Sequence, residues 1–508
     1  MVETKLNSSL KLIAKTSLIV LIGLILSKLA TYIYRIIIAR YYGSEAYGQF
    51  SLGLMIFSIF IAIASLGLIE GIIRFIPIYR GKNENHKINY LIKFALSLSL
   101  FCGILASVIL YFSANSISLN IFHNAELAFY LKIFAITIPI FLIGNIYLYV
   151  LRAYEEIGSY SFILNILQNI VKLAFILLFI LLGFKAGNAI VYSYSFGILA
   201  VLVASYLLCK YKIPTLFIDK TPTPLAKIKI RTELVSYSWP IIFLGIISNI
   251  LYWIDSFSIG YFKSVNDVGL YNAAVPIAAL FTIAPDIFMQ LFFPVINKEY
   301  GRKNIDLIKS LSKQVTKWIF IIDLPLFFLV LLFPGAIINP LFGYEYLVAS
   351  NSLRFLALGA FISSVLGVSY YLVSMAGKSK VILANTIVFS LVNLAINILL
   401  VPKYGMNGAS IATMISGITG SLVILFLARK YTSIFSLDKS MLKIFAVSLI
   451  PLAIMFILRS MVSGLLSLIL TGVLFGLSYL LIIFLTKCLD KSDAMIISSV
   501  KNKLFGKR

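Results

Sequence analysis

Apolar runs of about twenty residues follow one another along nearly the whole chain, with short polar segments between them. A run of that length is what an α-helix needs to cross a hydrocarbon core about 30 Å thick. The alternating ten-residue segments of a membrane β-barrel do not occur in the sequence. The pattern predicts fourteen membrane helices, at 12–38, 47–75, 88–113, 124–151, 158–183, 188–210, 232–261, 267–296, 312–334, 349–376, 379–401, 406–429, 441–460 and 464–486. Lys5, Lys11 and Lys15 ahead of the first run resemble the start of a signal peptide. The run is too long for a signal h-region and lacks a small-residue cleavage site, so it reads as a retained helix.

Part of the pattern is repeated. IARYYGSEAYGQF at 38–50 aligns with IGYFKSVNDVGLY at 259–271, pairing Tyr41 with Tyr261, Ser44 with Ser264 and Gly48 with Gly269. Upstream, Tyr32 falls on Tyr252 and Arg35 on Asp255. Downstream, Pro77 before RGKN at 80–83 matches Pro294 before GRKN at 301–304. The fold class expected is therefore all-α and polytopic, with two pseudo-symmetric six-helix lobes and two C-terminal helices. The boundaries are an N-lobe at 1–215, a cytoplasmic linker at 216–231 marked by Pro222 and Pro224, a C-lobe at 232–435, and the last two helices with a basic tail at 436–508. Six is even, so both lobes start on the same side, as parallel repeats do. In transporters built from such repeats the substrate site lies between the lobes near the midplane.

Composition agrees with the pattern: mean hydropathy is +1.01, 61% of residues are hydrophobic and 12% are charged. The net charge of +24 would suit nucleic acid, but its distribution does not. Of 43 Lys and Arg, 31 fall on the side of the termini and even-numbered loops, and six on the other. The positive-inside rule puts both termini in the cytoplasm of a plasma-membrane protein, its basic loops drawn to anionic membrane lipids. Nucleic acid is excluded as a partner because no basic-aromatic array lies outside the membrane. Cys102, Cys209 and Cys488 are unrelated in spacing and His86 and His123 are the only histidines, so no metal site is expected. No segment is long enough for a soluble catalytic domain, so an enzyme is not expected.

Charges at membrane depth are expensive and carry the functional argument. Lys28, Thr31, Tyr32 and Arg35 recur at helical spacing and share one face, a cationic wall suited to an anionic ligand such as a pyrophosphate. The alternative is that Lys28 and Arg35 snorkel to opposite interfaces. Lys172 joins Asn165, Gln168 and Asn169 in a polar stripe, whereas Arg74 could simply neutralise Glu70. The substrate-binding candidates are Lys28, Tyr32, Arg35, Arg74 and Lys172. Asp255, beside Asn249, Tyr252, Ser256 and Ser258, could bind Na⁺, exchange a proton or form an ion pair; Asp286 and Asp323 lie near prolines and join it as ion-coupling candidates. No cofactor is expected beyond a coupling Na⁺ or H⁺.

RIIIARYYGSEAYGQFSLG at 35–53, SLGLIEGIIRFIPIYRGKN at 65–83 and SYSWPIIFLGIISNILYWIDSFSIGYF at 236–262 resemble polysaccharide-biosynthesis flippases of the O-antigen type. This group belongs to the multidrug/oligosaccharidyl-lipid/polysaccharide exporter superfamily. VGLYNAAVPIA at 268–278, FGYEYLVASNSLRFLALG at 342–359, MAGKSK at 375–380 and NLAINILLVPKYGMNGASIATMIS at 393–416 extend the likeness over about 430 residues. The resemblance implies an alternating-access carrier that moves a polyprenyl-(pyro)phosphate-linked oligosaccharide from the inner to the outer leaflet. It implies that Lys28, Arg35, Lys172 and, less directly, Arg74 engage the lipid phosphate, and it makes Asp255 the coupling candidate. Glycan-assembly enzymes are the partners it suggests. A cation-coupled drug antiporter is the alternative within the superfamily, but such exporters often carry an acid in the first helix, where this chain has Lys28 and Arg35. A membrane glycosyltransferase or polymerase would need an acidic metal motif or a long outer loop, and the sequence offers neither.

Overall fold

The computed structural model describes residues 2–184, 187–217, 222–458, 464–486 and 488. The end of the thirteenth expected helix at 459–460, the linker residues 218–221 and the tail from 489 lie outside the described residues. The protein is an all-α polytopic membrane protein. Among the described residues thirteen helical stretches are long and apolar enough to cross a membrane, and one of these, Leu26–Ala64, takes in parts of the first two expected spans. The chain divides into two compact units, Met1–Gly269 and Leu270–Arg508.

The first unit opens with α1 (Val2–Ala64), 63 residues interrupted at Gly43, whose φ of 83° and ψ of 175° are not helical. Glycine tolerates that backbone because it has no Cβ. The break separates the first two expected helices and brings the spans to fourteen. The second of them is itself interrupted: Leu66 and Gly67 have φ of 48° and 62°, and α2 (Leu68–Gly81) starts afresh. Then come α3 (Asn85–Ser116), α4 (Leu127–Ala153), α5 (Ile157–Ser161), α6 (Gln168–Leu181), α7 (Asn188–Lys212) and α8 (Pro224–Phe262). A π-helical stretch, Phe162–Leu167, joins α5 to α6. The second half of the expected linker is helical, because Pro224 at the first turn of α8 needs no intrahelical donor.

α4 packs against α3 and α7, and α1 against α4 and α8. Ile72, Ile76, Leu91, Leu151 and Leu234 share one core cluster, so α8 is tied to α2 and α3. Tyr79 Oη donates to Glu233 Oε2 at 3.0 Å, and Ser58 Oγ donates to Asn249 Oδ1 at 2.7 Å. Packing therefore groups α8 with the first unit, whereas the sequence repeat starts its second copy with that helix.

The second unit contains most of α9 (Val265–Ala278), followed by α10 (Ile283–Gly301), α11 (Ile305–Leu332), α12 (Pro334–Phe342), α13 (Ser350–Leu366) and α14 (Val368–Met375). It closes with α15 (Ser379–Tyr404), α16 (Met406–Thr432), α17 (Lys439–Leu458) and α18 (Leu465–Leu485). The eighth expected helix is divided by a 3-10 turn at Ala279–Thr282, between Pro276 and Pro285, and the tenth is broken at Gly367. Proline removes a backbone donor, which accounts for the first division. α16 packs against α13 and α15, and α17 against α18. The large apolar residues left exposed, such as Phe112, Leu181, Phe426 and Phe484, suit contact with lipid.

Candidate functional site

Arg35, in the first span of α1, is the centre of a polar cluster inside the first unit. Its guanidinium donates to the hydroxyl of Tyr47, on the far side of the Gly43 break, whose ring is 1% exposed. Tyr32, one turn before Arg35, and Tyr252 of α8 are within electrostatic reach of it. Lys172 of α6 is also within electrostatic reach, so two cations from different helices share one neighbourhood. Like charges repel, more strongly where the dielectric is low, so holding them together requires compensating structure or an anion.

That structure is aromatic and polar. Lys172 is 7% exposed; its Nζ lies 5.0 Å from the Tyr194 ring centroid and 6.0 Å from that of Tyr34. Both distances are within the range of cation–π attraction. Tyr34 Oη donates to the Ile190 carbonyl at 2.9 Å and is paired with Ser193 Oγ at 2.8 Å, which fixes its ring. Phe50 meets both rings edge-on, with centroids 6.0 Å from Tyr34 and 5.6 Å from Tyr194. Gly197 of α7 lies directly against the Lys172 stem, where a Cβ would overlap the lysine Cγ. One turn before Lys172, Asn169 Nδ2 donates to Ser27 Oγ at 3.0 Å and its Oδ1 accepts from Thr31 at 3.5 Å. The polar stripe on α6 thus faces the polar face of α1. It follows the π-helical stretch, a local widening often found at functional sites.

The other expected residues are distributed as follows. Lys28 lies one helical turn before Thr31 and is partly exposed. Arg74 is exposed on α2 and lies 4.2 Å from the centroid of Tyr237 on α8, so the aromatic face is its contact rather than an ion pair with Glu70. Asp255 is partly buried on α8, one turn after Tyr252. In the second unit Asp286 lies in the first turn of α10 within electrostatic reach of Tyr371. Asp323 of α11 is 2% exposed and accepts a hydrogen bond from Ser364 Oγ. Among the described residues no cluster of His, Cys, Asp and Glu could hold a metal ion.

Three contributors were not singled out from the sequence. Tyr34, Tyr47 and Tyr194 look like ordinary aromatic positions of apolar helices, and only their convergence on Arg35 and Lys172 distinguishes them. Lys317 counts as a loop cation by its place near the start of an apolar run, yet it is 1% exposed within α11.

A family model described as "Polysaccharide biosynthesis protein" matches residues 13–300, and a second, described as MatE, matches residues 240–399. An uncharacterized membrane protein of Methanocaldococcus jannaschii is 26% identical over 479 residues, covering 90% of this chain and 92% of that protein. A putative O-antigen transporter of Shigella flexneri is 24% identical over 411 residues, covering 78% of this chain and 93% of that protein. Among solved structures, the lipid II flippase MurJ in an inward closed conformation superposes with a TM-score of 0.70 at 17% identity. It covers 93% of this chain and 100% of that one, a likeness of fold.

Proposed function

Because the chain belongs to the polysaccharide biosynthesis protein family, we propose that it is a flippase that carries a polyprenyl-(pyro)phosphate-linked oligosaccharide from the inner to the outer leaflet by alternating access. It is a multi-pass membrane transporter rather than an enzyme. The observation that carries the reading is the pairing of Arg35 with Lys172 in one aromatic-walled, largely buried cluster. A bound phosphate or pyrophosphate would relieve their repulsion, and Arg35 offers the planar donor fork that grips such an anion in bidentate fashion. Tyr32 and Tyr47 supply hydroxyls at its edge, and Lys28 extends the cationic face along α1. In this reading Arg74, which lies over the Tyr237 ring, meets headgroup or lipid phosphate as well.

The Shigella flexneri relative is named a putative O-antigen transporter, and that name supports the substrate class. In this reading the termini are cytoplasmic, the protein acts in the cell membrane beside glycan-assembly enzymes, and Asp255, Asp286 and Asp323 are the positions for a coupling Na⁺ or H⁺. The match of residues 240–399 to MatE favours a second reading, a cation-coupled multidrug antiporter. The Arg35–Lys172 cluster opposes it, since like charge repels a cationic drug. Reconstituted protein should bind polyprenyl phosphate and move a labelled polyprenyl-diphosphate saccharide between leaflets. Extrusion of an organic cation with no movement of the glycolipid would favour the antiporter.

A further inference from the structure

The second unit holds a recess of about 330 Å³ between α13, α14, α15 and α16. Its lining has a composition different from the Arg35 cluster: Ser363, Tyr370, Tyr371, Asn385, Gly420 and Ser421 contribute, and no cationic side chain does. Asn385 Nδ2 donates to the Gly420 carbonyl at 3.4 Å, while its buried Oδ1 has no hydrogen-bond partner. An orphaned buried acceptor costs about 1–3 kcal/mol, so a turn of the amide that brings this oxygen to a ligand donor in the recess would be favourable. Ser421 Oγ donates to Ser363 Oγ at 3.1 Å, which leaves the Ser363 proton to be given elsewhere. Tyr370 is 46% exposed and meets Tyr371 edge-on at 5.4 Å, so it offers an uncovered aromatic surface. The Asp286 carboxylate stands within electrostatic reach of Tyr371.

Uncovered aromatic surface with an amide acceptor, a hydroxyl donor and a nearby carboxylate is what a pyranose requires. Its apolar face packs on a ring, and its hydroxyls need donors and acceptors together. The volume is at the lower end of ligand pockets and suits one or two sugar rings. A polyprenyl chain would leave the amide and hydroxyl groups unsatisfied, and a phosphate would find no countercharge. We infer that this recess is a saccharide subsite, which takes neutral sugar rings of the transported headgroup through Asn385, Ser363, Ser421 and Tyr370. The inference rests on the flippase reading for the identity of its ligand, and it assigns the sugar and the phosphate of one substrate to different side-chain sets.

The test uses full-length protein in nanodiscs, titrated with a panel of neutral methyl hexosides and methyl N-acetylhexosaminides. At least one should bind saturably. Asn385→Leu and Ser421→Ala should each weaken it about tenfold or more, the loss of one hydrogen bond in a site built to make it. Arg35→Ala should leave saccharide binding unchanged. Asn385→Ala, with unfolding temperatures measured without ligand, separates loss of binding from loss of fold. No binding by any panel member, binding indifferent to Asn385 and Ser421, or Asn385-dependent binding of tetraphenylphosphonium instead would overturn the subsite. Polyprenyl phosphate binding and its dependence on Arg35 are measured in parallel. If these survive while saccharide binding is absent, the subsite alone fails; if they are absent, the flippase reading fails whatever the saccharides do.

Discussion

Gly48 and Gly269, which the internal repeat equates, lie backbone to backbone in the first unit. A Cβ on Gly48 would overlap the Val265 carbonyl oxygen and stand 3.0 Å from the Gly269 nitrogen. A Cβ on Gly269 would overlap the Ser44 carbonyl oxygen and stand 2.9 Å from the Gly48 nitrogen. The reciprocity is that of a local two-fold relation between the two copies of the motif, and small residues permit such close approach of membrane helices. Ser44 Oγ donating to Asn266 Oδ1 at 2.6 Å lies beside it.

Gly48→Ala and Gly269→Ala are each expected to destabilise this contact by about 1–3 kcal/mol, the usual penalty of overpacking. The neighbours are backbone atoms, which cannot swing aside. Thermal unfolding and transport in proteoliposomes check this; wild-type behaviour of both variants would show that the backbones separate readily.

Ser44→Cys with Asn266→Cys should form a disulfide on oxidation, because the native side chains already meet. Transport should stop on oxidation and return on reduction if the contact belongs to one stage of the cycle. Gel mobility and flipping rate, measured before and after reductant, report both halves of this expectation.

Gly197→Ala should displace the Lys172 stem, which lies where the new methyl would go. Affinity for polyprenyl phosphate should fall about tenfold, corresponding to loss of one charge-assisted hydrogen bond. Gly245, which has open space around it, provides the control: Gly245→Ala should leave affinity unchanged.

Asp255→Asn is expected to leave a folded carrier whose flux no longer responds to an imposed Na⁺ or proton gradient. Asp323→Ala is expected to reduce stability by about 1–3 kcal/mol as well, because Ser364 loses its acceptor inside the core. Flux that still follows the gradient in Asp255→Asn would move the coupling role to Asp286 or Asp323.

The helices were readable because apolar runs of spanning length leave little choice of structure in a bilayer. Their interruptions were less so. Leu66–Gly67 and Gly367 lie inside runs whose hydropathy does not change, and the short α12 carries too few residues to be seen as an element. Arg35 and Lys172 could be named because a cation at membrane depth is costly wherever it is. Their association with one another, and with Tyr34, Tyr47 and Tyr194, depends on the crossing of α1, α6 and α7, which hydropathy does not encode. The structure adds Tyr252 of α8, one turn before Asp255, as a residue within electrostatic reach of the arginine. The alignment of Gly48 with Gly269 identified two residues that touch, though nothing in either motif says so.

The central claim is that Arg35 and Lys172 together hold the lipid phosphate, and one assay addresses it directly. Protein reconstituted in proteoliposomes is given a fluorescent polyprenyl-diphosphate disaccharide, and its transfer between leaflets is followed by accessibility to a membrane-impermeant quencher. Arg35→Ala and Lys172→Ala should each slow transfer at least about tenfold with unfolding temperatures near wild type, and the double variant should lose much less than the product of the two, because both act on one anion. Transfer at the wild-type rate in folded Arg35→Ala and Lys172→Ala would contradict the account.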